Sequence, residues 1–376
     1  MNNFLRLIAA FLCLSLCIVL LFTVLSDKDK IGTTLSPIML AVVGVSSPLE
    51  YADAVVNELY TEEEAQQIKK TSTMLTLLGF GAGRVEVSSL AYVSKDISNM
   101  IEESANMYAS FKKSGEILEE DLSSKKANTV FKSVSVNSSI SSHKVDIPAK
   151  LEEKLNLSGF DKNKPCILVY HTHTTEGFEI LDMGWYSKDY NSRTKDITKN
   201  IVRVGEEIVQ ILTDKGFTVI HDKTIHDASY SGSYDRSAKT VKKWLSEYPS
   251  IILSLDVHRD AIHYDGKVKS KPTATIDNKK AAQIMIIAGC ESGDVTNFPN
   301  WKDNLTFSCK LQKTAEELYP NLMRPIFFCS RKYNMDMTRY AMLLEMGTDA
   351  NTLDEAVYSG RLIGNALAKM LDEQLK

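Results

Sequence analysis

The chain has 376 residues, 44% of them apolar and 24% charged, with a formal net charge of −4. That content can bury at least one full-sized core and excludes the fibrous and disordered classes. It also argues against nucleic-acid binding, because phosphate recognition needs a concentrated basic face and no basic block is present.

Leu7 to Leu25, LIAAFLCLSLCIVLLFTVL, is nineteen residues without a charge. At about 1.5 Å per residue it nearly matches a hydrocarbon core of roughly 30 Å, so residues 1–30 predict a short cytoplasmic end and a transmembrane anchor. The following TVLSDKDK offers no small-x-small cleavage site, which favours an uncleaved single-pass anchor with the bulk of the chain outside. Residues 31–121 mix apolar and charged residues at three-to-four spacing and predict a helical membrane-proximal region. Residues 122–144 are rich in Ser, Lys and Asn and read as a mobile linker. Cys13 and Cys17 lie in the anchor. Cys166, Cys290, Cys309 and Cys329 are scattered, without zinc-site spacing, and read as buried hydrophobes; a Cys309–Cys329 bridge is compatible with an extracytoplasmic location.

From 145 to 376 the pattern changes. PCILVYH, FTVIHD, SIILSLDVH, AQIMIIAG and PIFFCS are short apolar runs typical of strands buried on both faces, and YAMLLE reads as another. Amphipathic helices alternate with them: TKNIVRVGEEIVQILTDKG ends in a C-capping glycine, and SYDRSAKTVKKWLSEYP begins with Ser233 as its N-cap. This order predicts an α/β domain with an open, mostly parallel sheet and flanking helices, whose ligands sit at the carboxyl ends of the strands.

Three strand ends carry chemistry there: His171-Thr-His173-Thr-Thr-Glu176, Asp256-Val-His258-Arg259-Asp260, and Glu345. Two imidazoles and a carboxylate suit an open zinc site, and a further carboxylate is needed to carry the proton of an attacking water. His171, His258 and Glu176 are the expected zinc ligands and Glu345 the expected base. His171 and His173 are not expected to share one ion unless the backbone turns between them. Asp256 and Arg259 can orient His258 or form a local ion pair, and Arg236 and Arg331 are candidates for a substrate carboxylate.

VYHTHTTEGF, SYDRSAKTVKKWL, LDVHRDA and LLEMGTDAN, in that order, resemble the motifs of the stage II sporulation protein P family, membrane-anchored cell-wall hydrolases of endospore-forming bacteria. That family is similar in turn to zinc-dependent N-acetylmuramoyl-L-alanine amidases. Their catalytic Glu stands two residues before a Gly and six before an Asn, as do Glu345, Gly347 and Asn351 here. The resemblance implies a zinc amidase-like domain. It would cleave the amide between N-acetylmuramic acid and L-alanine in peptidoglycan, with endopeptidase activity on cross-links, during forespore engulfment. It also implies stage II sporulation proteins D and M as partners and a place between the mother-cell and forespore membranes. In the general amidases the second ligand opens the helix before the second strand, near Asp196 to Thr198 here, so Asp196 and His173 stand beside Glu176 as alternatives. The rival reading is a non-catalytic peptidoglycan-binding scaffold.

Overall fold

The computed structural model describes residues 90–375; the expected anchor, and residues 31–89 of the expected helical region, lie outside them. Among the described residues no helix is long and apolar enough to cross a membrane.

The elements run α1 (Lys95–Ser110), β1 (Gly115–Glu120), β2 (Thr129–Phe131), β3 (Val134–Ser138), α2 (Ile147–Glu152), β4 (Ile167–Tyr170) and β5 (Trp185–Tyr186). Next come α3 (Ile201–Asp214), β6 (Val219–His221), α4 (Ser233–Glu247), β7 (Leu253–Asp260), β8 (His263–Tyr264), β9 (Val268–Ile276) and β10 (Lys279–Ala282). The chain ends with β11 (Ile284–Gly289), α5 (Trp301–Leu318), β12 (Ile326–Cys329), β13 (Tyr340–Thr348) and α6 (Leu353–Gln374).

All six apolar runs are strands of one eight-stranded sheet, ordered β2-β3-β12-β11-β13-β7-β4-β6. β3, β12 and β11 form one parallel block and β13, β7, β4 and β6 another. The blocks meet antiparallel at β11 and β13, so the ends of one block lie beside the starts of the other. A mixed α/β fold results, mostly parallel as expected.

One face of the sheet, with Ile167, Val169, Leu255, Ile286 and Leu344, packs into the main core with α3, α5 and α6. The other face is covered at the β4 end by α4, whose Val241 meets Leu168 and Tyr170. Helix ends follow their sequence signals. Asn200 caps α3 by accepting from Val202 N, Gly216 takes φ +84° just past its end, and Thr352 and Glu355 close a reciprocal capping box on α6. Ser233 is already helical; Gly232, at φ +77°, is the cap of α4.

The expected linker and domain start are corrected. Within 122–144, β2 and β3 pair antiparallel and β3 joins β12, because Val134 and Val136 alternate with polar residues and fill the core. Residues 90–121 belong to the same compact unit. α1 is helical as expected, but β1 joins β9 in a second, five-stranded sheet, β10-β9-β1-β5 with β8 beside β9. Buried Lys271 on β9 ties this sheet to the main body through Glu355 (2.9 Å) and Asp182 (2.7 Å). The four described cysteines are buried and free, with Cys309 and Cys329 in separate apolar clusters, so the bridge between them is absent.

Candidate active site

The first correction concerns His171. It continues the phase of Ile167 and Val169, towards α3, where a Cβ at Gly205 would stand 2.7 Å from its ring. Tyr170 pairs with Asp256, so Asp256 and His258 face the opposite side of the sheet. Both His171 nitrogens are engaged: Nδ1 with the Val257 carbonyl at 2.9 Å and Nε2 with His221 Nε2 at 2.9 Å. Because a carbonyl only accepts, the His171 proton sits on Nδ1 and Nε2 accepts from His221. Burial pushes the His171 pKa down to about 4, keeping it neutral.

His173 takes the place beside His258. The backbone turns through Thr172 to Thr175, held by Asp256 accepting from Thr172 N (2.8 Å) and Thr172 Oγ1 (2.6 Å). The His173 and His258 rings then stand perpendicular, 5.2 Å apart, and His173 Nδ1 is buried without a hydrogen-bond partner.

Glu176 is where expected. Its Oε2 accepts from Arg259 N (3.1 Å) and lies 3.4 Å from His258 Nδ1, and its Oε1 lies 3.4 Å from Arg193 Nη2. His258 Nε2 lies 2.9 Å from Asp256 Oδ1 but off the hydrogen-bond direction. Burial opposes a charge on His258, yet Asp256 and Glu176 override it and hold the imidazole protonated well above its usual range. Burial likewise raises Glu176, and the His258 and Arg259 charges pull it below the usual carboxylate range.

Glu345 pairs with His258 across β13 and β7, and so shares its face. The side chain is partly exposed, but Oε2 is buried and unpartnered. Its pKa is raised, first by desolvation and then by the Asp260 carboxylate.

Several other candidates have structural duties. Asp196 is exposed and accepts from Thr198 N and Oγ1 in its own turn. Arg259 Nε donates to the Gly177 carbonyl, and Arg236 ties down the His226 and Ser229 carbonyls. Arg331 stays exposed, and its backbone N–H donates to the Cys329 carbonyl (2.9 Å).

Three side chains carry donor atoms that a divalent cation would use: His258 lies beside Glu176 and His173, and Glu345 shares its face of the sheet. The 3.4 Å between Glu176 Oε2 and His258 Nδ1 is close to the roughly 3.3 Å edge of a tetrahedron with about 2.05 Å bonds. Among the described residues no group of three or more His, Cys, Asp and Glu stands close enough together to hold a metal ion as placed.

Sequence reasoning missed Arg193, which joins Glu176 to Asp227 (3.0 Å), and Arg324, whose Nη2 holds Asp260 at 3.0 Å. Arg324 precedes β12, so the reversed block brings it to Glu345 from a strand start. It also missed Tyr234 and Tyr333, stacked 5.0 Å apart beside His258. Only an aromatic near each loop marked them.

Fold and site together define an α/β protein with a histidine–carboxylate centre on one face of a mixed sheet. The chain belongs to the stage II sporulation protein P family, whose sequence model matches residues 85–368. A curated relative, stage II sporulation protein P of Bacillus subtilis (strain 168), is 28% identical over 220 residues, 55% of this chain and 51% of the relative. The match thus spans about half the length of that relative. Among solved structures, the N-acetylmuramoyl-L-alanine amidase AmiC2 of Nostoc punctiforme matches 57% of this chain and 99% of its own, at 10% identity and a TM-score of 0.33. The CwlD amidase of Clostridioides difficile, in complex with the GerS lipoprotein, matches 56% and 98% at 14% identity and a TM-score of 0.35. Likenesses that distant carry no functional inference.

Proposed function

We propose that this chain is a membrane-anchored, zinc-dependent peptidoglycan hydrolase that cleaves the amide between N-acetylmuramic acid and L-alanine, with endopeptidase activity on cross-links. The observation that carries the reading is the buried, unpartnered set of His173 Nδ1 and Glu345 Oε2 beside the Glu176–His258 pair. His173, Glu176 and His258 would hold the ion, which when bound polarises the scissile carbonyl and lowers the pKa of water. Asp256, 2.9 Å from His258 Nε2, would favour the proton on that nitrogen and leave Nδ1 to the ion. Arg259 N and Arg193 hold the two oxygens of Glu176. Glu345 Oε2 takes the proton of the attacking water and delivers it to the amine as the C–N bond breaks.

Family membership and the uncharged Leu7 to Leu25 segment support action on the wall just outside a membrane, during forespore engulfment. On this reading stage II sporulation proteins D and M are partners.

The test uses the full-length chain purified in detergent. It should bind about one zinc per chain and release stem peptides from purified sacculi, and Glu345→Gln should abolish release while retaining metal. A wild-type chain that binds sacculi but releases nothing would leave the non-catalytic scaffold standing.

A further inference from the structure

The loop between β12 and β13 carries a feature the proposed chemistry does not use. Tyr333 adopts φ +47° and Asn334 φ +60°, consecutive left-handed residues, and for a bulky tyrosine that conformation is an outlier held only by its surroundings. Its surroundings do hold it. Asn334 Nδ2 donates to the Tyr234 carbonyl (3.1 Å) and Ser237 Oγ (3.0 Å), and Met335 is buried against Ala341 and Leu343. The product of this arrangement is an aromatic pair. The Tyr333 ring stacks on Tyr234 at 5.0 Å and 25°, and Tyr234 lies nearly parallel to His258 at 6.4 Å and 13°. Both phenols are partly exposed, and neither hydroxyl makes a hydrogen bond among the described residues. Tyr230, 66% exposed, adds a third ring, stacked on His173 at 4.6 Å.

On the other side of Glu345 the chemistry is charged. Leu343 pairs with Asp256, Glu345 with His258 and Thr348 with Asp260, so moving along β13 leads from the tyrosines across the centre to Asp260. There Arg324 binds Asp260 and leaves Nη1 buried and unpartnered, and Lys269 binds Asp349 at 2.7 Å.

We propose that the substrate crosses the centre in one direction, with a sugar ring against the Tyr234–Tyr333 wall and the peptide towards Asp260 and Arg324. The inference rests on the hydrolase reading above and deepens it. A pyranose presents a flat patch of C–H groups bordered by hydroxyls, which matches an aromatic face with free phenol hydroxyls at its edge. A peptide with carboxylates and amines suits the charged side. Strain at Tyr333 then has a purpose, because it holds the partly exposed ring over the edge of the Met335–Leu343 cluster and against Tyr234.

The experiment uses the full-length, zinc-loaded Glu345→Gln chain in detergent, titrated separately with peptide-free glycan strands and with sugar-free stem peptide. Adding Tyr333→Gly should weaken glycan binding about tenfold while leaving peptide affinity and zinc content unchanged. The melting temperature should stay close to that of the parent, because glycine accepts φ +47° without strain. Tyr333→Phe, which keeps the ring, should retain most of the glycan affinity. The proposal is overturned if Tyr333→Gly binds glycan as before, if glycan and peptide affinities fall together, or if the Glu345→Gln chain binds no glycan. If the wild-type chain releases no peptide from sacculi but glycan binding still depends on Tyr333, the hydrolase reading fails and the sugar subsite stands.

Discussion

Replacing the two histidines of HTH by alanine should have opposite effects, and the structure sets the size of each. His171→Ala removes a fully buried ring and strands two polar partners, the buried Val257 carbonyl and the half-buried His221 Nε2. An unpaired buried polar group costs about 1–3 kcal/mol, and a cavity adds to that, so about 3–5 kcal/mol is expected. At roughly 2–4 °C per kcal/mol for a unit of this size, the melting temperature should fall by about 10 °C. His173→Ala removes a ring with an unpartnered Nδ1 and a stacking contact to an exposed tyrosine, and should cost about 1 kcal/mol or less. Its effect should appear in the metal. Thermal melts of EDTA-treated protein isolate the fold from any stabilisation by bound ion, and zinc content after reloading reads the site. The reasoning is refuted if His171→Ala melts like the wild type but loses zinc while His173→Ala keeps it.

Two further outcomes follow from buried charge. Arg361 is fully buried, pairs with Glu207 at 2.9 Å, and donates to the Leu90 (3.1 Å) and Tyr92 (2.7 Å) carbonyls. Arg361→Met should therefore cost about 3–5 kcal/mol in urea unfolding, and a loss below about 1 kcal/mol would contradict that accounting. Glu179 accepts from Tyr108 Oη at 2.9 Å, and burial raises its pKa from 4.5 to about 7. Its folded-state pKa lies above the unfolded value, so its contribution is fully present below about pH 4.5 and is lost as pH rises through 7. Glu179→Gln keeps an acceptor for Tyr108 and removes that slope. Relative to wild type it should gain up to roughly 3 kcal/mol between pH 4.5 and pH 8, and parallel urea midpoints across that range would count against it.

The central strands and helices were legible because their signals are local. Six apolar runs read as strands and are strands, although β6, at the sheet edge, is only half buried, and α3 and α6 carried their own caps. Glu176, His258 and Glu345 stood out as carboxylates and an imidazole at or near the ends of such runs, a signal that His171 shares although it packs towards α3. β2 and β3 were obscured by polar composition, although VSVNS alternates as a strand must. β1 was obscured because its pairing partner β9 lies some 150 residues away. Composition reports solvation, and these short strands are only partly buried, so their ordering depends on partners that local composition does not name.

The sequence by itself determined an α/β chain of this family and which residue types would meet at the strand ends. The choice between His171 and His173 belonged to tertiary structure. Side chains alternate at every residue along a strand, so which face His171 shares depends on the register between β4 and β7. That register is fixed by packing across the sheet, and it paired Tyr170 with Asp256. The same holds for Arg324 and Tyr333, which reach the centre only because β11 and β12 run against β13 and because a strained loop folds back over the sheet.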